Sequence, residues 1–399
     1  MKTNHPSGRR ITKFGRILMA AALLSCFSPA AKALTLLDTS FNPGTGAAGG
    51  FPETVTAHRH GKILGCGSFT SFNGINRSYV VLLNPDGSVD TNFLARPGYW
   101  VRHMAVQPDG KILIGGFFKD VNGISKRGIA RLNFDGSLDT NFNIGGSGMT
   151  GTLAVSITGN PDPFISQIAL QTNGCILITG NFTHYNGVNM NGIARLNPDG
   201  SWDPTFQVGS GLSTWGRSIQ VLENGQILVT GWFDNYHNSQ HNRMVLINTN
   251  GTPDNSFLPF FGDSTAVYTA LKLANGQYIA AGHSLNTNGY FREEIRKLNP
   301  DGSVDMSFHG YANDKIQMVR LQSDGKILIN GEFSQVDGVP RQRIARIYQD
   351  GSLDPSFNVN IDNWTWSTAI QPLDGKILVS GGFWNVDGAS RAGIVRLNK

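Results

Sequence analysis

The chain has 399 residues, with 33 lysines and arginines against 28 acids, 49 glycines and three cysteines. Six of the basic residues and none of the acids fall in residues 1–33, so residues 34–399 carry 27 against 28, a formal charge of −1. That balance gives no electrostatic ground for a nucleic-acid partner, and so few cysteines exclude a disulfide-stapled scaffold.

The N-terminal segment reads as targeting rather than fold. Arg9, Arg10, Lys13 and Arg16 precede an apolar run from Ile17 to Phe27, and Ala31-Lys-Ala33 supplies a small-x-small cleavage site. Residues 1–33 are therefore expected to be a secretory signal peptide. The apolar run is about half of the ~20 residues a membrane span needs, so no transmembrane helix is expected. Leu23-Leu-Ser-Cys26 is the rival signal, with cleavage before Cys26 and its lipidation. Either route places the protein outside the cytoplasm, secreted, periplasmic or on the cell surface. Cys66 and Cys175 stand at different columns of non-adjacent repeats and read as small buried residues, not a disulfide.

From residue 34 the sequence is a repeat. The unit is clearest at Asp109-Gly-Lys-Ile-Leu-Ile-Gly-Gly-Phe-Phe118, then Asn122-Gly123, Gly128-Ile-Ala-Arg-Leu-Asn133 and Asp135-Gly-Ser-Leu-Asp-Thr-Asn-Phe142. Its turn glycine recurs at Gly61, Gly110, Gly174, Gly225, Gly276, Gly325 and Gly375, at intervals of 49, 64, 51, 51, 49 and 50. Periods near 50 suit propeller blades. Four strand signals fill the second unit, Arg102 to Gln107, Lys111 to Phe118, Gly128 to Asn133 and Ser137 to Phe142, with Asp-Gly turns joining the first pair and the last pair. The closing Ser-x-Asp-x-x-Phe element is complete six times, and the last repeat stops at Lys399 without one. Leu37-Asp-Thr-Ser-Phe41 supplies the missing piece from the other terminus.

The expectation is an all-β fold, a seven-bladed β-propeller of four-stranded antiparallel blades. Residues 34–399 would form one domain, with 34–41 as the outer strand completing the last blade, 364–399, and closing the ring. The repeated string resembles the bacterial delta-60 repeat family over essentially all of residues 34–399. The resemblance implies a secreted or surface β-propeller and brings no established activity. Departures are local: Ser284 replaces the second-strand Phe in the fifth copy, and Leu82 and Leu246 replace the third-strand Arg in the first and fourth.

Candidate sites follow from the columns. The closing aspartates, Asp38, Asp90, Asp139, Asp203, Asp254, Asp305 and Asp354, read as structural acceptors for backbone N–H groups or for the third-strand Arg of Arg131, Arg195, Arg346 and Arg396. Asn-x-Asp-Gly-Ser-x-Asp turns lack the ligand spacing of a calcium loop. A loop column of Arg77, Lys126, Met190, His241, Arg292, Arg341 and Arg391 offers a discontinuous basic ring for an anionic surface. Aromatics before the first strand, Phe51, Trp100, Phe164, Trp215 and the pair Trp364 and Trp366, offer stacking for a sugar or a grip on a peptide. An insertion around Gly145 to Pro163 is a further recognition loop. His237 and His241 with Asp234 form the one local cluster suggestive of a metal, zinc, although loop spacing does not fix both rings on one side. No cofactor is implied.

These features favour a monomeric, non-catalytic extracytoplasmic binding or scaffold module. It would recognise a glycan or a cell-surface protein through its loop face. The alternative is a secreted hydrolase or lyase acting on a polysaccharide at the axial funnel. Catalysis would require one or two blades to break the pattern with converging acids, bases or metal ligands, and the columns show no such convergence.

Overall fold

In a computed structural model, which describes residues 36–153, 162–259, 261, 264–285 and 291–399, each repeat forms a three-stranded antiparallel meander. In the second repeat the inner strand Val101–Val106, the middle strand Ile112–Gly116 and the outer strand Ile129–Leu132 pair in that order. The other inner strands are Pro52–Ala57, Phe164–Leu170, Gly216–Val221, Ser264–Lys272, Ile316–Leu321 and Thr365–Ile370. No α-helix occurs among the described residues.

Turn chemistry sets each meander. At Gly110 (φ +92°) the N–H donates to the Gln107 carbonyl at 2.8 Å, giving a short hairpin loop whose glycine is left-handed. The two-residue hairpins lie elsewhere, in the loops after the middle strands. Asn122-Gly123, Asn186-Gly187, Asp337-Gly338 and Asp387-Gly388 each hold both central residues at positive φ, which Asn, Asp and Gly tolerate best. The middle strands are buried on both faces because each sheet is packed between neighbours. One buried cluster joins Phe41, Val55 and Ile63 near the start of the chain to Ala369, Leu378 and Ile394 near its end.

The expected fourth strand is a correction. The outer strand meets the closing element at single bridges only, Leu83 with Val89, Leu132 with Leu138, Leu196 with Trp202 and Ile347 with Leu353. One residue later the aspartate turns the chain out of the sheet. Asp139 Oδ1 accepts the Asn141 N–H at 3.0 Å, and the Phe142 N–H reaches the Asp139 carbonyl at 3.2 Å. Such a side-chain turn competes with further ladder pairing. In the last repeat the bridge is Leu37 with Leu397, and the Asp38 N–H donates to the Arg396 carbonyl at 3.0 Å.

The same aspartates anchor the scaffold. Asp139 Oδ2 accepts Lys111 Nζ at 2.6 Å and Arg131 Nε at 2.7 Å, and Asp354 accepts Lys326 at 2.9 Å and Arg346 at 2.8 Å. Asp38 does likewise with Lys376 at 2.8 Å and Arg396 at 2.6 Å, 338 and 358 residues away in sequence. Each arginine lies over the closing phenylalanine, as Arg131 does over Phe142 at 4.8 Å and Arg396 over Phe41 at 5.0 Å. The outer nitrogen continues into the next repeat: Arg131 Nη1 reaches the Pro198 carbonyl, Arg195 Nη1 that of Thr249, and Arg396 Nη1 that of Pro85. Burial raises the Asp38 and Asp354 carboxyls, but bonds from lysine, arginine and the following serine outweigh it and hold both well below the usual carboxylate range.

Asp354→Ala should lower unfolding stability by about 3 kcal/mol, because it leaves Arg346 and Lys326 without their buried partner. Asp38→Ala should lower it as much, measured by urea denaturation. A silent Asp38→Ala beside a damaging Asp354→Ala would refute docking of the N-terminal segment. Because these pKa values are depressed on folding, their stabilisation is complete above pH ~4 and disappears as pH falls through the folded values. Asp354→Asn should therefore flatten the loss of stability between pH 4 and 2.

Candidate functional site

The inner strands carry a feature that the repeat motif conceals. Each slips register against its middle strand at one shared position, between Pro52 and Thr54, Val101 and His103, Ile165 and Gln167, Gly216 and Ser218, Val267 and Thr269, Ile316 and Met318, and Thr365 and Ser367, and the fifth slips again between Ser264 and Ala266. A bulge leaves one residue out of the ladder and re-aims its side chain. The seven residues set free are Glu53, Arg102, Ser166, Arg217, Tyr268, Gln317 and Trp366, and all seven line one central cavity with the residues that follow them. The cavity is small, about 70 Å³, room for a carboxylate-sized group and a few waters.

Its electrostatics are unusual for an interior. Glu53 is 6% exposed, and burial pushes its carboxyl up to about 7 against the pull of Arg102 and Arg217. Burial lowers both guanidiniums as well, Arg217 to about 10, with Arg102 adding repulsion there. Neither arginine forms an ion pair among the described residues. Arg217 Nη2 donates to Gln317 Oε1 at 2.5 Å, Gln317 Nε2 donates to Glu332 Oε1 at 3.0 Å, and Lys315 Nζ lies 3.3 Å from the same oxygen. His103, pressed down to about 3 by burial and by Arg320, is neutral and accepts the Ile168 N–H on Nδ1. The Ser166 hydroxyl is buried without a hydrogen-bond partner.

An aromatic arc surrounds the strand-start end of this channel. Trp100 stacks on Phe117 (4.9 Å between centroids), Phe117 on Phe164 (4.4 Å), Phe164 meets Trp215 edge-on (5.3 Å), and Trp215 stacks on Trp232 (4.1 Å). Trp232 continues to Tyr268, whose hydroxyl bonds His283 Nδ1. Phe51 sits between Trp364 and Trp366. Arg102 lies over Phe164 and Trp100, and Arg217 over Tyr268 and Trp232.

The predicted site residues divide accordingly. Trp100 and Trp364 stand at the entrance, half-buried and 36% exposed, and Trp366 belongs to the bulge column, one step deeper. Trp215 is 5% exposed and packed in the arc, so it offers little free face. The loop column is not an open basic surface. Met190, His241 and Arg341 are buried, while Arg77, Lys126 and Arg391 are half-buried and turned onto main-chain oxygens. Arg77 reaches the Thr91 carbonyl at 3.0 Å, Lys126 the Phe142 carbonyl at 2.6 Å and Arg391 the Ser390 carbonyl at 2.7 Å. The Arg292 side chain and residues 154–161 of the predicted insertion lie outside the described residues. His241 is buried against the Ser239 hydroxyl, and Asp234 is engaged by Arg243 at 2.8 Å. Among the described residues no group of three or more His, Cys, Asp or Glu could hold a metal.

Sequence reasoning missed the bulge column. Its signal was legible as the position two after the strand-start column, aromatic in five repeats and Ala266 and Lys315 in the others, where Glu, Arg, Ser, Arg, Tyr, Gln and Trp follow one another.

Comparison with known proteins bears on the fold and leaves the chemistry open. No curated protein matches the chain. Among solved structures, the extracellular domain of the B. thetaiotaomicron hybrid two component system protein BT4673 superposes with a TM-score of 0.51 at 12% identity. It covers 91% of this chain, which spans only 39% of that one. The WD40 beta propeller domain of Doa1 superposes with a TM-score of 0.53 at 13% identity, covering 91% of this chain and 96% of that one. At these identities the likeness shows a shared propeller fold alone. A family described as domain of unknown function (DUF5122) beta-propeller matches residues 61–93, 107–142, 171–206, 222–257, 273–308, 322–357 and 373–399, one match per repeat. The delta-60 designation is not part of that match. Seven matched units covering more than half of the sequence make this chain a member of the DUF5122 β-propeller family.

Proposed function

We propose that residues 1–33 export the chain and that residues 34–399 form a closed seven-bladed ring working as an extracytoplasmic binding module. Its ligand is a carbohydrate taken at the aromatic mouth of the central channel. Closure is supported by the Leu37–Leu397 bridge, the Asp38 clamp and the Ser380 hydroxyl bonded to the Glu53 carbonyl oxygen at 3.1 Å. The observation that carries the binding reading is the bulge column, in which seven equivalent positions present seven side chains of mixed chemistry to one cavity. A scaffold with no ligand needs no such divergence, since its other columns repeat Lys, Arg, Asp and Phe. Flat aromatic faces beside half-buried polar groups suit sugar rings, which present an apolar face and a polar rim.

One observation favours the lyase or hydrolase alternative: the Tyr268 hydroxyl and His283 Nδ1 are hydrogen-bonded beside the Arg217 guanidinium, a pairing able to move a proton next to a cation. Chain cleavage on the same substrates separates the two readings.

On a glycan array, the mature protein should bind a restricted set of saccharides. Trp364→Ala and Trp366→Ala should each weaken binding about tenfold, on the order of one lost aromatic contact. Phe134→Ala, in a turn at the outer edge and 72% exposed, should leave it unchanged. Equal binding by all three variants would remove the channel mouth as the site.

A further inference from the structure

Resting on that reading, we propose that the bulge ring is a carboxylate-binding site and that the ligand is a uronic acid, its carboxylate held between Arg102 and Arg217 with Glu53 as a protonatable neighbour. Two arginines reach the cavity from the second and fourth repeats, with one repeat between them, and neither has an anionic partner within ion-pairing distance among the described residues. Arg320 adds a third half-buried guanidinium on the inner strand of the sixth repeat, at the other end of the channel. Charges drawn out of bulk water are ordinarily paired, because leaving water is costly for each of them. A channel that keeps half-buried guanidiniums unpaired around a void is organised in advance for an anion.

The size of the void and the aromatic arc narrow the anion to part of a larger ligand. A cavity of about 70 Å³ admits a carboxylate beside Trp366 and leaves the sugar ring outside, level with Trp100 and Trp364. Planar guanidiniums match a planar carboxylate through paired N–H donors. Ser166, whose hydroxyl is buried and unpartnered, supplies another hydrogen-bonding group on the same wall.

Glu53 makes the site pH-dependent. Arg102 and His103 face it from the neighbouring inner strand, Arg217 faces it across the channel, and Cys66 lies beside it on its own middle strand. The strands Thr365–Ile370 and Ile377–Gly381, packed on its other side, bring no titratable group. Cys66 stays a thiol because burial raises it, and His103 stays neutral, so Glu53 is the group that changes charge near neutrality. Protonated, it donates a hydrogen bond to the entering carboxylate; ionised, it repels it.

Isothermal titration with trigalacturonate and its methyl ester, at pH 6 and pH 8, tests the assignment. The acid should bind, and the ester should bind at least about tenfold more weakly, as should the acid to Arg102→Gln or Arg217→Gln. Binding of the acid should weaken from pH 6 to pH 8 with proton uptake on complex formation. Glu53→Gln should abolish that dependence and bind tightly at both. Equal affinity for acid and ester, or unchanged affinity in both arginine variants, would overturn the carboxylate site. If neutral glycans still depend on Trp364 and Trp366, only this inference fails. If no saccharide binds, the carbohydrate reading fails with it. Tighter binding of an acidic peptide than of the uronate would also overturn the assignment.

Discussion

A single outer-strand arginine, present in four of the seven repeats, does much of the structural work there, and the architecture follows from where its nitrogens go. In the second, third and seventh repeats Nε takes the closing aspartate of that repeat's own closing element, Nη1 takes a carbonyl of the next repeat's turn, and the plane rests on the closing phenylalanine. A single side chain thus ends one sheet and positions the next. Parallel backbone bonds reinforce it, such as Leu94 N–H to the Asp135 carbonyl and Asn143 N–H to that of Asp199. Where the arginine is absent, other groups serve the carboxylate: Lys62 alone at Asp90, and Gln226 at Asp254. What is held constant is an aspartate with its second oxygen occupied by a donor, from the first hairpin in six repeats and from Arg195 of the outer strand in the third.

That constraint explains why the inner column can vary. The clamps lie at the outer edge of each sheet and the buried middle strands fill the space between sheets, so neither depends on the bulged residue of the inner strand. A bulge also removes that residue from the ladder, and its side chain answers only to the cavity. Replacing Ser166 by the Arg of one neighbouring repeat changes no backbone pairing. The repeat therefore provides seven independent positions aimed at one point.

This division also sets what could be read from the sequence. Strand order, turn glycines and closing aspartates were legible because each is a column repeated with the same chemistry, and repetition makes a physical role visible. The fourth strand was over-read, because Ser137 to Phe142 alternates like a strand while the Asp139 side chain bends it away after one bridge. The basic loop column was misjudged for a related reason. Its charges suggested a surface, yet Arg77 and Lys126 spend them on carbonyls of the closing turns. The bulge ring was hidden because a register slip leaves no mark in a single repeat. It appears only when the column is compared across seven copies and found not to repeat.

The buried carboxylates give an internal standard for separating scaffold from site. At Asp139, Asp354 and Asp38 burial would raise the carboxyl, but two cationic donors and a turn N–H reverse the effect and hold it low. At Glu53, equally buried, two guanidiniums stand nearby without closing an ion pair, so the carboxyl ends above its ordinary value. The same chain thus contains carboxylates whose charge is fully answered by the fold and one whose charge is not. A structural role would be served better by the first arrangement, which the fold already supplies at Asp38, Asp139 and Asp354. The persistence of unanswered charge at Glu53, Arg102 and Arg217, at the single point where all seven inner strands converge, is the physical reason to look for the missing partner in a ligand.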